Sequence, residues 1–384
     1  MKYDFDTIYD RRRSDAGKWA VGPDELPMWV ADMDFKTAPE VISAMQERLD
    51  HGIFGYGDVP DEWYQAYISW WKRRHGLEIK KEWLVFCTGV VPAISSAVRK
   101  LTSPNENVVI MTPVYNIFFN SIINNGARVL ESPLVYENGG YSTDFEDLEK
   151  KLSDPQTSLM ILCNPHNPVG KIWPAEELAK IAELADKYHV TVVSDEIHCD
   201  ITEPGKDYVP FASVSETAAR ISVTCISPTK CFNLAGLQTA AVCVPDKFLR
   251  HKMWRALNTD EVAEPNSFAV CAAVAAFNEG EAWLTQLREY ISENRRFTES
   301  FIKEKLPEIK MIKAEATYLA WLDISALSTD SEEFAESIRR KSGLYLSAGA
   351  HYGESGRSFL RLNMACPRGI LKDGLERLYT SIDR

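Results

Sequence analysis

The chain contains no apolar run long enough to cross a bilayer, and its first residues, Met1-Lys-Tyr-Asp-Phe-Asp, lack the apolar core of a signal peptide. Neither a membrane span nor export is therefore expected. None of the eight cysteines (87, 163, 199, 225, 231, 243, 271 and 366) belongs to a C-x-x-C pair. Most lie within apolar runs, so the expectation is reduced, buried thiols in a cytoplasmic protein rather than a disulfide framework. Positive charge is also short: 43 Lys and Arg against 55 Asp and Glu leave a formal charge of -12. That balance argues against nucleic acid or an anionic membrane as a partner. Internal repeats and low-complexity tracts are missing as well. What is left is an ordinary globular composition, 45% hydrophobic and 26% charged, in a chain of 384 residues. That length exceeds one typical domain.

Apolar, β-branched runs predict strands near 82–88, 107–111, 158–163, 190–194, 221–226 and 238–244. Between them lie stretches with helical period, including 174–189 and the aromatic-rich segment after Asp61, which is expected to cap that helix. A further helix from about Pro39 would carry Val41, Ile42, Met45 and Leu49 on one face. Near-continuous apolar strands separated by helices imply an α/β fold with a mostly parallel sheet covered on both faces. Ligands of such sheets bind beyond the carboxyl ends of the strands. Thr88, Gly89, Tyr115, Asn164, Asn167, Asp195, His198 and Lys230 all fall at such ends. From about 317 onward, shorter strands alternate with helices and suggest a smaller α/β domain. The division expected is a large domain over 48–286, with 1–47 and 287–384 forming the small one.

Ser227-Pro-Thr-Lys230 places a lysine at a strand end between two apolar segments. Lysines are seldom buried. The plain reading is a solvated loop lysine. The chemical one is a lysine that condenses with an aldehyde cofactor, since a partly desolvated amine is a good nucleophile and base. Such an enzyme also needs an acid near the cofactor ring, a phosphate cradle and an anchor for the substrate carboxylate. Asp195 suits the first. Gly89 and Val90 at a helix start, with Ser227 and Tyr56, suit the second. Arg361 suits the third, because a guanidinium binds a carboxylate through two parallel hydrogen bonds.

Two other constellations deserve weighing. Asp195, Glu196, His198 and Asp200 cluster at one strand end, but a hard-metal site needs further ligands that the sequence does not nominate, so no metal is expected. Ser227-x-x-Lys230, Ser292-Glu-Asn294 and Lys341-Ser-Gly343 follow the order of a loosened penicillin-binding set. Ser292, however, falls in a predicted long helix, and Lys341-Ser-Gly343 reads as a helix end with its glycine stop.

Asn164-Pro-His-Asn-Pro-Val-Gly170, Asp195-Glu-Ile-His198 and Ser227-Pro-Thr-Lys230 resemble motifs of the fold-type I pyridoxal phosphate enzymes, in the class I/II aminotransferase group. More narrowly, Pro27-Met-Trp-Val-Ala-Asp-Met-Asp-Phe35, His198, Phe232-Asn-Leu-Ala-Gly-Leu-Gln238 and Arg361-Leu-Asn-Met-Ala-Cys-Pro367 resemble its cystathionine β-lyase branch of the MalY/PatB type. The resemblance covers essentially the whole chain and implies a seven-stranded, mostly parallel sheet in the large domain. It also implies pyridoxal 5'-phosphate as cofactor and a homodimer with sites at the subunit interface. By matching motif, Lys230 would hold the cofactor and Asp195 its ring nitrogen. Asn167 would bond the ring 3-oxygen, Tyr115 would stack on the ring, and His198 would lie close by. Gly89, Val90, Val91 and Ser227 would hold the phosphate, with Tyr56 reaching in from the second subunit. Arg361, with Ala31 and Asp32, would bind the substrate.

Aspartate-type aminotransferases carry a tyrosine three residues after the ring-nitrogen aspartate and an arginine eight residues after the lysine. Here those positions are His198 and Gln238. Both departures lean toward a lyase: α,β-elimination of L-cystathionine or a related cysteine S-conjugate to a thiol, pyruvate and ammonia. The alternatives are an aminotransferase, which begins with the same proton removal, and a cofactor-binding regulator without a main catalytic role.

Overall fold

The computed structural model describes residues 2–382. Seven strands form the central sheet: β1 (Leu84–Cys87), β2 (Asn107–Ile110), β3 (Arg128–Glu131), β4 (Thr157–Cys163), β5 (Thr191–Asp195), β6 (Ser222–Ile226) and β7 (Ala240–Cys243). Their spatial order is β1-β7-β6-β5-β4-β2-β3. β7 runs antiparallel to both neighbours, and all other pairings are parallel. Cys163 lies opposite Asp195, which lies opposite Cys225, so the carboxyl ends of β4, β5 and β6 finish level with one another. The inner strands are buried along their length. That burial explains their continuous apolar runs, since a sheet covered on both faces has no wet side to encode.

One face packs on Val90, Ile94, Val98 and Phe118, and the other on Trp173, Leu178, Ile181 and Phe211. A third cluster surrounds the helix Asp61–His75, whose Trp63, Tyr67, Trp70 and Trp71 are fully buried around Phe277. Asp61 does not cap that helix. Pro60 takes the capping position, and the Asp61 carboxylate instead pairs with Lys81 at 2.6 Å. The helix tolerates this because each buried aromatic ring contributes about 2 kcal/mol and a missing cap costs only about 1 kcal/mol.

The helix Pro39–His51 forms where its period placed it, but its apolar face is not buried within the chain. Val41 is fully covered, whereas Ile42 and Leu49 are 42% and 51% exposed. Ile53 and Phe54, just beyond, are exposed too.

A four-stranded antiparallel sheet, ordered Lys310–Met311, Leu319–Asp323, Phe359–Asn363 and Ser347–Ala348, forms the second layer. Leu26–Pro27 pairs in parallel with Leu344–Tyr345, and Asn363 N–H donates to the Met28 carbonyl at 2.9 Å. One continuous helix, Glu281–Lys305, runs alongside both layers and crosses position 286 without a break. Ser292 is buried on it and donates to Glu203 at 2.7 Å, and Gly343 ends the helix Ser331–Ser342 in a left-handed conformation. The penicillin-binding arrangement is thereby excluded. All eight cysteines are free, and all but Cys271 are buried.

Candidate active site

The Ser227–Lys230 turn follows β6 and carries Lys230 into a cavity of about 280 Å³ at the carboxyl ends of the strands. The Lys230 amine donates to the Ala31 carbonyl at 2.6 Å. Burial lowers its pKa to about 8, with Arg361 pushing the same way and Asp32 and Asp195 opposing. An amine so placed loses its proton close to neutral pH, as a nucleophile or base requires.

Asp195 ends β5 and borders the same cavity, 4% exposed. It accepts one hydrogen bond, from Ile197 N–H at 3.1 Å, and has no ion-pair partner among the described residues. Burial lifts its pKa to about 7; Glu196 adds to this, while the Ile197 amide and Lys230 counter it. Such a carboxylate is short of a cation.

The other acids of this segment turn elsewhere. Glu196 is buried among Ser194 Oγ (2.8 Å), Phe211 N–H (2.9 Å) and the Tyr208 hydroxyl, all donating to it. Asp200 accepts from Trp70 Nε1 at 2.9 Å, His75 Nε2 at 3.1 Å and Arg74 Nε at 3.2 Å. Against the upward push of burial, His75, Arg74 and Trp70 hold its pKa down to about 2. Asp195, Glu196, His198 and Asp200 therefore do not converge on one point.

His198 lines the cavity, buried, with Nδ1 unpartnered. Burial, then Lys230 and Arg361, depress its pKa to about 3, so the ring is neutral. Tyr115 lines the cavity as well, its phenol raised by burial to about 12. Asn167 Oδ1 accepts from Arg361 Nη1 at 3.2 Å. Arg361 is buried, donates through Nη2 to the Trp29 carbonyl at 2.7 Å, and keeps Nε without a partner. Its guanidinium packs over Tyr352 and faces a second chamber, which shares Ala31, Tyr115 and Lys230 with the first.

At the opposite wall, Gly89 caps the helix Val90–Leu101. The N–H groups of Val90 and Val91 have no intrahelical acceptor, and the positive end of the helix points at the cavity they line. A Cβ on Gly89 would lie 3.1 Å from Pro92 Cδ, so the turn is closely packed.

Several expected residues lie elsewhere. Ser227 does not border the cavity: its hydroxyl donates to the Thr239 carbonyl at 2.7 Å and contacts Thr229 Oγ1 at 2.8 Å. Thr229, one step further along the turn, borders it instead. Asp32 pairs with Arg11 at 2.9 Å and Lys18 at 3.5 Å and lines neither chamber, whereas Ala31 lines both. Tyr56 is fully exposed in the irregular 52–60 segment, away from its own chain's cavity. Thr88, at the strand end where the sequence put it, borders the cavity with Thr229 and Gln238; Trp29 and Val30, from the Pro27–Phe35 motif, enter the second chamber, and so does Tyr345, which the sequence did not single out.

A family profile, aminotransferase class I and II, matches residues 24–378. The chain belongs to that family. Among its relatives, cystathionine beta-lyase PatB of Bacillus subtilis is 45% identical over 94% of this chain and 93% of its own. Cystalysin from Treponema denticola, whose crystal structure contains pyridoxal 5'-phosphate, superposes with a TM-score of 0.96 at 33% identity, covering 99% of each chain. The PLP-bound C–S lyase from Staphylococcus hominis superposes at 0.93 and 33% identity, covering all of this chain and 98% of that one. The fold is thus that of the type I pyridoxal phosphate enzymes, with the mixed seven-stranded sheet expected of this family.

Proposed function

We propose that the chain is a pyridoxal phosphate-dependent carbon–sulfur β-lyase that eliminates the thiol from cysteine thioethers. The observation that carries the reading is the sharing of one cavity by an amine with a pKa near 8 and a buried carboxylate lacking a cation. Full-length similarity to a cystathionine β-lyase supports the same reaction class. The donor set suits the cofactor. Asp195 needs a positive partner, which a protonated ring nitrogen supplies, and the open helix end suits a phosphate.

When bound, pyridoxal phosphate supplies an aldehyde that condenses with amines and a ring that holds the electron pair left at Cα. The protein does the rest. Arg361 binds the substrate carboxylate through the edge that includes its unpartnered Nε. The Lys230 amine, when free, would take the Cα proton. A thiolate then leaves from Cβ, and the aminoacrylate released hydrolyses to pyruvate and ammonia. Asp195 would keep the cofactor's ring nitrogen protonated. Asn167 would donate to the ring 3-oxygen, Tyr115 would cover one ring face, and Val90, Val91 and Thr229 would hold the phosphate. Neutral His198 sits where aspartate-type aminotransferases carry a tyrosine, and Gln238 where they carry an arginine.

The reading includes a cytoplasmic homodimer. Ile42, Leu49, Ile53 and Phe54 offer an apolar face beside Tyr56, whose hydroxyl would serve the partner's phosphate. The large unit takes the seven-stranded sheet and the small unit the four-stranded sheet with the N-terminal arm, meeting along Glu281–Lys305.

The test is to incubate cofactor-saturated protein with L-cystathionine and S-alkyl cysteines, without any 2-oxo acid, and to follow pyruvate and free thiol together. Catalytic rise of both is expected for at least one thioether. Turnover that appears only when a 2-oxo acid is added would put the aminotransferase reading first.

A further inference from the structure

The second chamber points to a substrate class, an inference that rests on the lyase reading and extends it. It has a volume of about 240 Å³ and opens beside Lys230 and Arg361. Beyond those two, its wall includes the apolar Trp29, Val30, Ile117, Tyr345 and Leu346 and the uncharged polar Asn116 and Ser347. Trp29 and Tyr345 stack at 4.9 Å. Arg339 lies 3.9 Å over the Tyr345 ring and is itself paired with Glu25, which fixes that ring from outside the chamber.

No Asp or Glu lines this chamber among the described residues. Its two cations stand at the end next to the cavity, where the substrate's own α-carboxylate and amine are handled. His351, at the rim, is 3.4 Å from Glu332. L-Cystathionine carries a second ammonium and a second carboxylate at its far end. Inside this chamber that ammonium would lose water and meet no carboxylate of this chain. A flat or branched hydrocarbon on sulfur would meet aromatic faces and aliphatic side chains instead.

We infer that the enzyme prefers cysteine S-conjugates with an uncharged apolar substituent, aryl, benzyl or branched alkyl, over L-cystathionine, and that the Trp29–Tyr345 stack and Ile117 set this preference. The chamber is a leaving-group site, so the released product is an apolar thiol.

The experiment compares kcat/KM for pyruvate release from S-benzyl-L-cysteine and L-cystathionine with the holoenzyme. S-benzyl-L-cysteine is expected to lead by roughly a hundredfold, as when a pocket must admit unmatched polar groups. Trp29→Ala should cut that lead at least tenfold on the way to parity. Ile117→Asp should narrow it from the other side by raising the cystathionine value. Equal or faster turnover of L-cystathionine by the natural enzyme overturns the inference and leaves the lyase reading standing. So does a preference that both substitutions leave unchanged. Failure of every thioether to release pyruvate fells the lyase reading itself.

Discussion

Asp195 should make the cofactor-free protein less stable than it need be. Its pKa lies near 7 because its charge is buried without a partner, against an ordinary 3.8. In the folded state the carboxyl therefore holds a proton that the unfolded chain has released. Stability falls as pH rises from about 4 to about 7 and then levels off. The displacement corresponds to roughly 4 kcal/mol. Water in the cavity and relaxation reduce what an experiment would read to about 2 kcal/mol. Asp195→Asn keeps the shape and the Ile197 N–H bond while removing the charge. Cofactor-stripped Asp195→Asn should then melt about 3 °C above the natural protein at pH 8, and the two should converge near pH 4. Adding pyridoxal phosphate should reverse the order, because only the aspartate gains a cationic partner. Differential scanning fluorimetry of stripped and reloaded protein across this pH range measures both effects. A gap that does not change with pH, or a stripped variant less stable at pH 8, would refute the reasoning.

Other substitutions probe separate parts of the site. Lys230→Ala should abolish turnover and the long-wavelength absorbance of the bound cofactor; full turnover in this variant would sink the assignment. Arg361→Ala removes a charge-assisted anchor of about 2 kcal/mol, so kcat/KM for amino-acid substrates should fall about thirtyfold, mainly through KM. An unchanged KM would take this arginine out of the site. Asp200→Asn leaves Arg74 and His75 facing a neutral group in a buried network and should cost about 3 kcal/mol in a urea titration. Because the Asp200 pKa is depressed to about 2, its stabilisation is present above pH 4 and lost as pH falls through that value.

Much of the architecture was legible because burial leaves simple marks. β4, β5 and β6 are covered on both faces and read as unbroken apolar runs, and the rule that ligands lie at carboxyl strand ends then gathered Gly89, Asn167, Asp195 and Lys230. Features that depend on side-chain direction were not legible. Ser227 and Thr229 carry similar hydroxyls in one four-residue turn, and only the path of that turn decides which one faces the cavity. Asp32 looked available until Arg11 and Lys18, both from the irregular N-terminal arm, closed on it. The helical period of Pro39–His51 correctly marked an apolar face, but a period cannot say whether the chain itself covers that face. The second chamber draws Val30, Ile117 and Leu346 from three distant segments, and no local pattern links them.

The arm that runs from Leu26 to Asp34 is made long before the small-domain strands it docks on. Leu26 pairs with Leu344, and the Trp29 carbonyl accepts from Ser347 and Arg361, partners 318 and 332 residues away. The Ala31 carbonyl that receives the Lys230 amine belongs to the same arm. A nascent chain can thus complete its central sheet while its N-terminus still waits, because closing so long a loop requires the final strands to be in place. A chain ending before Phe359–Asn363 would carry the lysine on a formed sheet but lack Arg361 and the Asn363 contacts that hold the arm. Assembly of the site therefore waits for the strand that carries Arg361, long after Lys230 has been placed.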